Sequence, residues 1–501
     1  MLRLKRIGIN ASPEFVAYLA RDCAAYRVEG FKALSKIEVG TAAGHVLATL
    51  NIVNDPAILG PSEVGLGEAA FEKLGLAEGA EVTVAQAPPP ASSEMLRAKI
   101  GGATLAEADY RAIIADVASH RYSKAELAAF LIACAGFMTT SEVLGLTRAM
   151  AAAGTMLDWG GGMVVDKHSI GGIPGNRTSM IVVPIVAAYG LTMPKTSSRA
   201  ITSPAGTADT MEVLANVDLP VARMQEIVRE VHGCLAWGGA VNLSPADDIL
   251  IRVERPLGID TPEQMVASIL SKKIAAGVTH LVVDIPLGPT AKVRTEREAV
   301  RLRKLFEHIG AALGLELEVV FSDGAQPVGR GVGPVLEARD VMAVLRGETD
   351  GLEALRDKAV MLAGHVIEFD PALRGGEGHR IARELLDGGG ALVAMERIIE
   401  AQGRQTRTYG LGPLKRDVTA PRAGRVTGID NLRLARIARL AGAPMDKGAG
   451  LDMAVSLGTG VAAGDTLYTL YAHHPADFGF ATAMAEATPG VDITPGARSV
   501  P

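Results

Sequence analysis

The chain has 501 residues, of which 48% are hydrophobic, so it is long enough to bury more than one core. Its formal net charge of −6 excludes a generally basic surface of the kind that nucleic acids and anionic membranes select. The three cysteines are far apart and form neither a disulfide framework nor a metal-ligand spacing, and no apolar run is long enough to span a bilayer. We therefore expect a multidomain cytoplasmic protein whose anion-binding sites are local.

The first part of the chain, residues 1–86, mixes short alternating apolar runs with turn residues, which predicts a small β-rich domain. The predicted strands are Arg3–Ile9, Lys36–Val39, His45–Ile52 and Glu81–Val84. The triplet Pro88-Pro89-Pro90 then predicts a stiff, extended linker.

Residues 92–158 change to a helical pattern, which predicts an all-helical domain to which 241–276 also contribute. Ser123 and either Thr140 or Ser141 are predicted N-caps. The run Gly160-Gly161-Gly162 is interpreted as a hinge that lets a cleft close. The predicted helices are Leu105–Val117, Lys124–Phe137, Ser141–Ala152 and Pro262–Ala276.

In residues 159–240 and 277–405, short apolar runs alternate with helical patterns, which predicts a central α/β domain with a mainly parallel sheet. Short glycine-rich runs then predict a C-terminal α+β domain over 410–501. The predicted central strands are Met163–Asp166, Leu191–Pro194, His280–Ile285 and Leu315–Phe321, and the predicted helices include Asn176–Tyr189 and Thr207–Val217.

Two polar segments, Asp166–Gly172 and Lys195–Thr207, overlap or follow the first two central strands and precede helical patterns. Hydroxyl groups and glycines at a helix start present backbone N–H groups and a positive dipole end to an anion. Lys167 and Arg199 would add full positive charges to those sites. In open α/β sheets, ligands lie at the carboxyl ends of the strands, where both segments are predicted to fall.

These motifs resemble the thymidine phosphorylase superfamily from about Met95 to the C-terminus. The segment Ala153–Trp159 leads into Asp166–Ser169, and Ser198–Ala200 is followed by Ala205–Asp209 and Glu212. The N-terminal extension resembles the long branch, which holds AMP phosphorylases and type 2 thymidine phosphorylases. The resemblance implies a homodimer or higher homo-oligomer. It also implies a reaction in which inorganic phosphate, the co-substrate, attacks C1′ of a nucleoside or nucleoside monophosphate. Neither a further cofactor nor a metal is implied.

The resemblance also assigns roles to individual residues. Asp260 corresponds to the proton donor to the departing base, and His168 is a second candidate for proton transfer. The implied phosphate contacts are Lys167, Ser169, Ser179, Ser197, Arg199 and Thr207. The implied nucleotide contacts are Gly172, Ser198, Arg199, Ala200, Ile201, Thr202, Ser203, Thr207, Ser268, Lys272 and Lys292.

Some of these residues could instead have purely structural roles. Asp260 precedes Thr261, which together with Gln264 has the spacing of a helix capping box, so the carboxylate could serve that helix. Lys272 and Lys292 would ordinarily be solvated surface lysines. His168 would ordinarily be a hydrogen-bonded turn histidine.

The sequence is compatible with several substrates and with more than one class of protein. The donors of Ser198–Ser203 and the form of Pro286–Val293 favour a nucleoside 5′-monophosphate such as AMP, which would give ribose 1,5-bisphosphate. Ser268 and Lys272 also match positions that hold the base in thymidine phosphorylases. A phosphoribosyltransferase would need Mg²⁺, for which Asp247-Asp248 is the candidate pair, and a nucleotide-binding regulatory protein would need no proton donor.

Overall fold

The computed structural model describes residues 1–11, 14–28, 31–200 and 203–495. The chain divides into two compact units, 1–153 with 245–264, and 154–244 with 265–501. Among the helices of the described ranges, none combines the length and the apolar character needed to cross a membrane.

The N-terminal strands close into a barrel with the order β1-β5-β2-β4-β3-β6. Alternating apolar side chains such as Leu19, Ile37 and Leu50 fill its core and are fully buried. The strand predicted to reach Ile9 ends at Arg6, the last residue that pairs with the neighbouring parallel strand. The elements are β1 Leu2–Arg6, β2 Val16–Ala20, α1 Ala24–Val28, β3 Lys36–Thr41, β4 Gly44–Val53, β5 Glu63–Leu66, α2 Glu68–Leu74 and β6 Glu81–Gln86.

Four helices follow the barrel. Ser123 is confirmed as an N-cap, because its side chain accepts a hydrogen bond from the Glu126 backbone N–H. The prediction of Thr140 or Ser141 as the next N-cap was wrong: Thr139 takes that role, since the Glu142 carboxylate that completes the capping box stands three residues after it. The helices are α3 Ser93–Ile100, α4 Glu107–Ala118, α5 Lys124–Gly136 and α6 Thr140–Ala152.

The central part alternates strands and helices as predicted. Its strands form two parallel groups, β11-β10-β7 and β8-β9, and a parallel bridge between Val164 and Thr192 joins them. The elements up to residue 275 are, in chain order, β7 Val165–Ser169, α7 Ser179–Tyr189, β8 Met193–Ser197, α8 Thr207–Met211, α9 Val221–Val231, β9 Gly233–Trp237, a 3₁₀ helix Gly238–Val241, α10 Pro245–Leu257 and α11 Pro262–Ala275. Of these, α10 and the first turn of α11 belong to the first unit. The later ones are β10 His280–Leu287, α12 Glu296–Ala312, β11 Glu316–Asp323, β12 Gly331–Val332, α13 Pro334–Leu345, α14 Glu353–Ile367, α15 Glu377–Asp387 and α16 Gly390–Gln402.

Both strands that lead to the predicted anion sites continue further than predicted. β7 includes Lys167 and Ser169, and β8 includes Ser197, although the sequence predicted turns there. Pairing with β10 and β9 extends these strands through polar residues, because backbone hydrogen bonds are made regardless of the side chain. The polar side chains therefore project from strands rather than from loose turns.

Two predicted helices are shorter than expected. The helix predicted from Asn176 begins at Ser179, after the turns that follow Gly172. The helix predicted to reach Val217 ends at Met211, because Ala215 and Asn216 instead make backbone contacts with the segment 403–404. Ser179 thus stands in the first helical turn, as predicted.

The C-terminal part contains two antiparallel sheets, β12-β15-β17-β13 and β16-β14-β18, with two helices packed on them. Its core includes the fully buried Leu434, Ile437, Leu451 and Leu470. The elements are β13 Leu414–Thr419, β14 Gly424–Ile429, α17 Asn431–Leu440, β15 Gly450–Met453, β16 Gly460–Val461, β17 Thr466–Ala472, α18 Pro475–Ala487 and β18 Val491–Thr494.

Candidate active site

Two chain segments leave β7 and β8 at the same edge of the parallel sheet. The first turns at Gly171 and Gly172, both with φ of 89°, a conformation that side chains other than glycine rarely adopt. The second runs from the end of β8 to the start of α8 at Thr207. The edge is the one at which α/β proteins bind ligands.

One face of β7 carries Lys167 and Ser169, both predicted phosphate contacts. The buried Nζ of Lys167 donates to the Thr178 hydroxyl at 2.7 Å. The Ser169 hydroxyl donates to Asp284 at 2.8 Å and accepts from Asn176 at 3.0 Å. Burial lowers the pKa of Lys167 to about 7, although the Asp284 carboxylate opposes this shift.

Asp284 is the buried acid of this face. Its Oδ2 lies 3.0 Å from Nζ of Lys358, and the Ser322 hydroxyl donates to its Oδ1. Burial opposes its ionisation, but the charges of Lys358 and Lys167 outweigh that effect and lower its pKa. Asp284 therefore stays ionised and holds Ser169 and Lys358 in fixed positions.

The other face of β7 carries Asp166, which joins two further lysines. Its Oδ1 lies 3.0 Å from Nζ of Lys195, and its Oδ2 lies 2.6 Å from Nζ of Lys273. Lys195 also donates to the backbone carbonyl of Lys167 at 2.8 Å, which ties β8 to β7. Burial lowers the pKa of Lys195 to about 8, against the pull of Asp166.

His168 follows on the same face as Asp166 and is half-buried. Burial lowers its pKa well below the usual value, and the charges of Lys273, Lys195 and Lys167 add to the shift. The imidazole is therefore neutral near pH 7. A neutral imidazole can donate one N–H hydrogen bond, but it holds no second proton to transfer to a leaving group.

The segment after β8 is held by a carboxylate network. The Arg199 guanidinium makes ion pairs with Glu212 at 2.6 Å and with Asp209 at 3.3 Å, and it stacks on Trp237. Asp209 also accepts from the backbone N–H groups of Ala200 and Gly206 at 2.6 and 2.9 Å. These contacts fix the backbone of the segment, so Arg199 has a structural role here in addition to the phosphate contact that was predicted.

Glycine is required at position 206 by close backbone contact. A Cβ atom there would lie 2.6 Å from the Ser198 carbonyl oxygen and 2.7 Å from the Ala200 nitrogen. The next residue, Thr207, accepts a hydrogen bond from Arg177 at 3.0 Å, and Arg177 lies 2.6 Å from the Glu337 carboxylate. Burial raises the pKa of Glu337 to about 7.

Gly172 and Lys292, two predicted nucleotide contacts, lie against each other. A Cβ atom on Gly172 would be 3.2 Å from both Cγ and the backbone nitrogen of Lys292. Gly172 and Ser203 also line one cavity, together with residues of α17. The exposed Lys292 stands beside this cavity, so the structure brings these three predicted contacts together.

Other predicted residues are placed as follows. Ser179 is buried in the first turn of α7, the Ser197 hydroxyl lies 3.5 Å from the Ala236 carbonyl oxygen, and Ser198 is exposed. Ile201 and Thr202 lie outside the described residues. Ser268 and Lys272 stand one turn apart on α11 in the second unit, and both are half-buried.

Asp260 belongs to the first unit and is exposed there. The burial that a proton-donor role requires is not found at this residue. The predicted cap beside it is present, because the Gln264 backbone N–H donates to the Thr261 hydroxyl at 3.3 Å. The proton-donor role of Asp260 stays a prediction.

Sequence reasoning gave no individual role to four charged residues that support the site, namely Lys195, which begins the second predicted anion-binding segment, and Lys273, Asp284 and Lys358. Asp284 had a detectable signal, because an acid inside the apolar run Leu281–Ile285 indicates a buried and paired charge. Lys273 and Lys358 stand on helices with no such signal. Their partners are distant in sequence and only the fold brings them close.

Comparisons with known proteins place most of the chain in known families. The family models that match are the Glycosyl transferase family helical bundle domain over residues 93–154, its a/b domain over 161–392, and the Pyrimidine nucleoside phosphorylase C-terminal domain over 425–491. A "Putative thymidine phosphorylase" of Methylococcus capsulatus is 56% identical over 493 residues, covering 98% of this chain and 96% of the relative. One of Albidiferax ferrireducens is 56% identical over 492 residues, covering 97% and 94%.

A solved structure, anthranilate phosphoribosyltransferase from Thermus thermophilus, matches with a TM-score of 0.51 and 22% identity. The match covers 61% of this chain and 98% of that structure, and it shows a shared fold alone. The family models and the relatives show a pentosyltransferase of the nucleoside phosphorylase type. The chain belongs to the thymidine phosphorylase superfamily.

Proposed function

We propose that the protein cleaves the N-glycosidic bond of a nucleoside 5′-monophosphate such as AMP, with inorganic phosphate as the nucleophile. A phosphate oxygen forms a bond to C1′ while the bond from C1′ to the base nitrogen breaks. The base leaves with the electron pair and gains a proton, and the other product is ribose 1,5-bisphosphate. The observation that supports a nucleotide as the substrate is the close packing of Gly172 against Lys292 beside the cavity that Ser203 also lines.

The phosphate nucleophile would bind at the carboxyl ends of β7 and β8. Lys167 and Thr207 are the donors proposed to hold it, with the N-terminal backbone of α8 close by. Ser169, the third predicted contact, would donate to phosphate only by turning its single hydroxyl proton away from Asp284. Two buried lysine clusters below this edge, around Asp166 and Asp284, supply a positive field. Such a field attracts a dianion and keeps its oxygens oriented without direct contact from every lysine.

The departing base would be stabilised by hydrogen bonding as well as by proton transfer. The neutral imidazole of His168 is suited to donate its N–H to the base, since burial and nearby lysines hold its pKa well below the usual range. Asp260 is the proposed proton donor. That role requires burial of its carboxyl group when substrate is bound, because an exposed carboxyl group is ionised at neutral pH.

A second candidate is the phosphorolysis of thymidine to thymine and 2-deoxyribose 1-phosphate. The names of the two relatives favour it, and so does the spacing of Ser268 and Lys272 on α11. Phosphoribosyl transfer is a third candidate, and it would require Mg²⁺ and phosphoribosyl pyrophosphate.

The test is release of free base from AMP, CMP, UMP, thymidine and uridine, with and without inorganic phosphate. Phosphate-dependent release from the monophosphates alone would support the proposal. Release from thymidine alone would favour the second candidate. Activity only with phosphoribosyl pyrophosphate and Mg²⁺ would favour the third.

A further inference from the structure

A cavity of about 460 Å³ lies between the segments that follow β7 and β8 and one face of α17. The first two segments contribute Gly172, Ser203 and Pro204, and the helix contributes Arg436 and Arg439. All of these residues belong to the second unit. The cavity is thus shared by two predicted nucleotide contacts and two arginines to which sequence analysis gave no role.

The direction in which α17 presents these arginines is set by the packing of its buried face and by hydrogen bonds at its first residue. Leu434 and Ile437 are fully buried in the core of the C-terminal part. At the start of the helix, the Asn431 side chain donates to the Gly324 carbonyl oxygen at 2.9 Å, and its backbone N–H donates to the Thr290 hydroxyl at 3.1 Å. Thr290 is two residues from Lys292, so the helix start and the Lys292 segment are fixed together.

The two arginines are neighbours on α17. Arg436 and Arg439 stand on its exposed face, three residues apart and therefore adjacent on the helix surface. Their guanidinium groups can approach one ligand from the same side.

The chemistry of the cavity fits a phosphate monoester attached to a less polar body. The described residues of its lining include two arginines and a serine and no carboxylate. Arginine is suited to bidentate contacts with phosphate oxygens, and Gly172 permits close approach of the ligand to the backbone. Leu432, whose side chain is 52% exposed at the same cavity, offers an apolar surface for a sugar ring.

We propose that Arg436 and Arg439 bind the 5′-phosphate of the nucleotide and make the enzyme select monophosphates over nucleosides. This inference rests on the proposed function and adds to it two specificity-determining residues from the C-terminal part. The inorganic phosphate nucleophile occupies a different position, beside Lys167 and Thr207. Removing the two arginines therefore weakens binding of the monophosphate and leaves binding of inorganic phosphate unchanged.

The experiment compares the wild type with the double variant R436Q/R439Q. The matched control is K415Q/R416Q, which removes the same charge from the exposed strand β13 of the same part of the chain. Two quantities are measured: the KM for the preferred monophosphate with its matching nucleoside in parallel, and calorimetric binding of ribose 5-phosphate at saturating inorganic phosphate. The second probe carries the 5′-phosphate without a base.

We expect R436Q/R439Q to raise the KM for the monophosphate by about tenfold to a hundredfold, since a hydrogen bond to a charged group contributes about 1.5–3 kcal/mol. Binding of ribose 5-phosphate should weaken similarly, whereas the control variant and the KM for inorganic phosphate should not change. If the wild type cleaves monophosphates and the double variant does so with the same KM, the role of the arginines is overturned and the proposed function stays intact. A wild type that cleaves only nucleosides and does not bind ribose 5-phosphate would overturn both.

Discussion

Lys195 and Asp166 form a buried ion pair of 3.0 Å that connects the two strands leading to the candidate phosphate site. Lys273 approaches the other oxygen of the same carboxylate at 2.6 Å. On the opposite face of β7, Asp284 similarly lies between Lys358 and the charge of Lys167. Each cluster has two lysines and one aspartate, and the cluster around Asp284 retains positive charge only while Lys167, whose pKa burial lowers to about 7, is protonated.

Replacing Asp166 with Asn should destabilise the fold strongly. The change leaves Lys195 and Lys273 as two buried ammonium groups without a carboxylate between them, and breaking a buried ion pair in this way costs about 3–5 kcal/mol. The free energy of unfolding, measured with urea, should fall by that amount. Asp350→Asn at an exposed position is the control and should change it by less than about 0.5 kcal/mol. Equal free energies of unfolding for the two variants would show that the Asp166 carboxylate does not stabilise the lysine cluster.

Phosphate binding should take up protons at mildly alkaline pH. The pKa of Lys167 is about 7 because of burial, so the side chain is largely neutral at pH 8 and a phosphate dianion would favour its protonation. Calorimetry at pH 8 in two buffers of different ionisation enthalpy should show proton uptake, and the KM for phosphate should rise above pH 7. Buffer-independent enthalpies would contradict this coupling.

The same lysines predict a pH dependence of stability. Between about pH 7 or 8 and the ordinary lysine pKa of about 10.4, the unfolded chain holds protons that the folded Lys167 and Lys195 do not hold. Because stability rises with pH wherever the unfolded state binds more protons, these two groups stabilise the fold progressively across that window. Urea unfolding at pH 7 and pH 9 measures the change, with added phosphate expected to reduce it by favouring the protonated lysines.

His168 should remain neutral across the physiological range. Burial and the neighbouring lysines hold its pKa well below 6.5, so its ring signals in an NMR titration of labelled histidine should not move between pH 6 and 8. The variant H168N, which keeps an N–H donor, should retain more activity than H168A. Equal activity of the two variants would argue against a hydrogen bond from His168 to the base.

Replacing Gly206 with Ala should disrupt the segment after β8. The added Cβ would meet backbone atoms of Ser198 and Ala200 at 2.6 and 2.7 Å, so the segment must move, at a cost of about 1–3 kcal/mol. The KM for phosphate should rise at least about tenfold if Thr207 shifts with the segment. Gly136→Ala at the end of α5 is the control, because no atom lies within 4 Å of the new Cβ. Unchanged kinetics of the Gly206 variant would contradict the role of this close contact.

Arg199 can be tested separately for holding the segment and for touching phosphate. Glu212→Gln removes its strongest partner, whose pKa the guanidinium lowers to about 2, but leaves the positive charge in place. If Arg199 acts by fixing the segment, Arg199→Gln and Glu212→Gln should raise the KM for phosphate by similar factors. A much larger effect of Arg199→Gln would indicate direct contact with phosphate.

Much of the architecture was readable from local sequence patterns. Apolar periodicity predicted helices such as α4, α5 and α6 and parallel strands such as β10 and β11, since burial of one face imposes that spacing. The predicted strand ends were less accurate. The pairing of β7 with β10 continues through Lys167 to Ser169 although these residues are polar. The cap at Thr139 was missed by one residue, although the Glu142 that completes it was visible.

The sequence by itself indicated the two segments that are predicted to bind anions, because glycines, hydroxyls and cations at a strand–helix junction are typical of anion-binding sites. Only the tertiary structure decided how those segments are supported. Asp166 gains Lys273 and Asp284 gains Lys358 through contacts between distant parts of the chain, and α17 turns Arg436 and Arg439 towards Ser203. A buried charge is stable only beside its partner, and which partner it meets depends on the packing of whole elements rather than on local sequence.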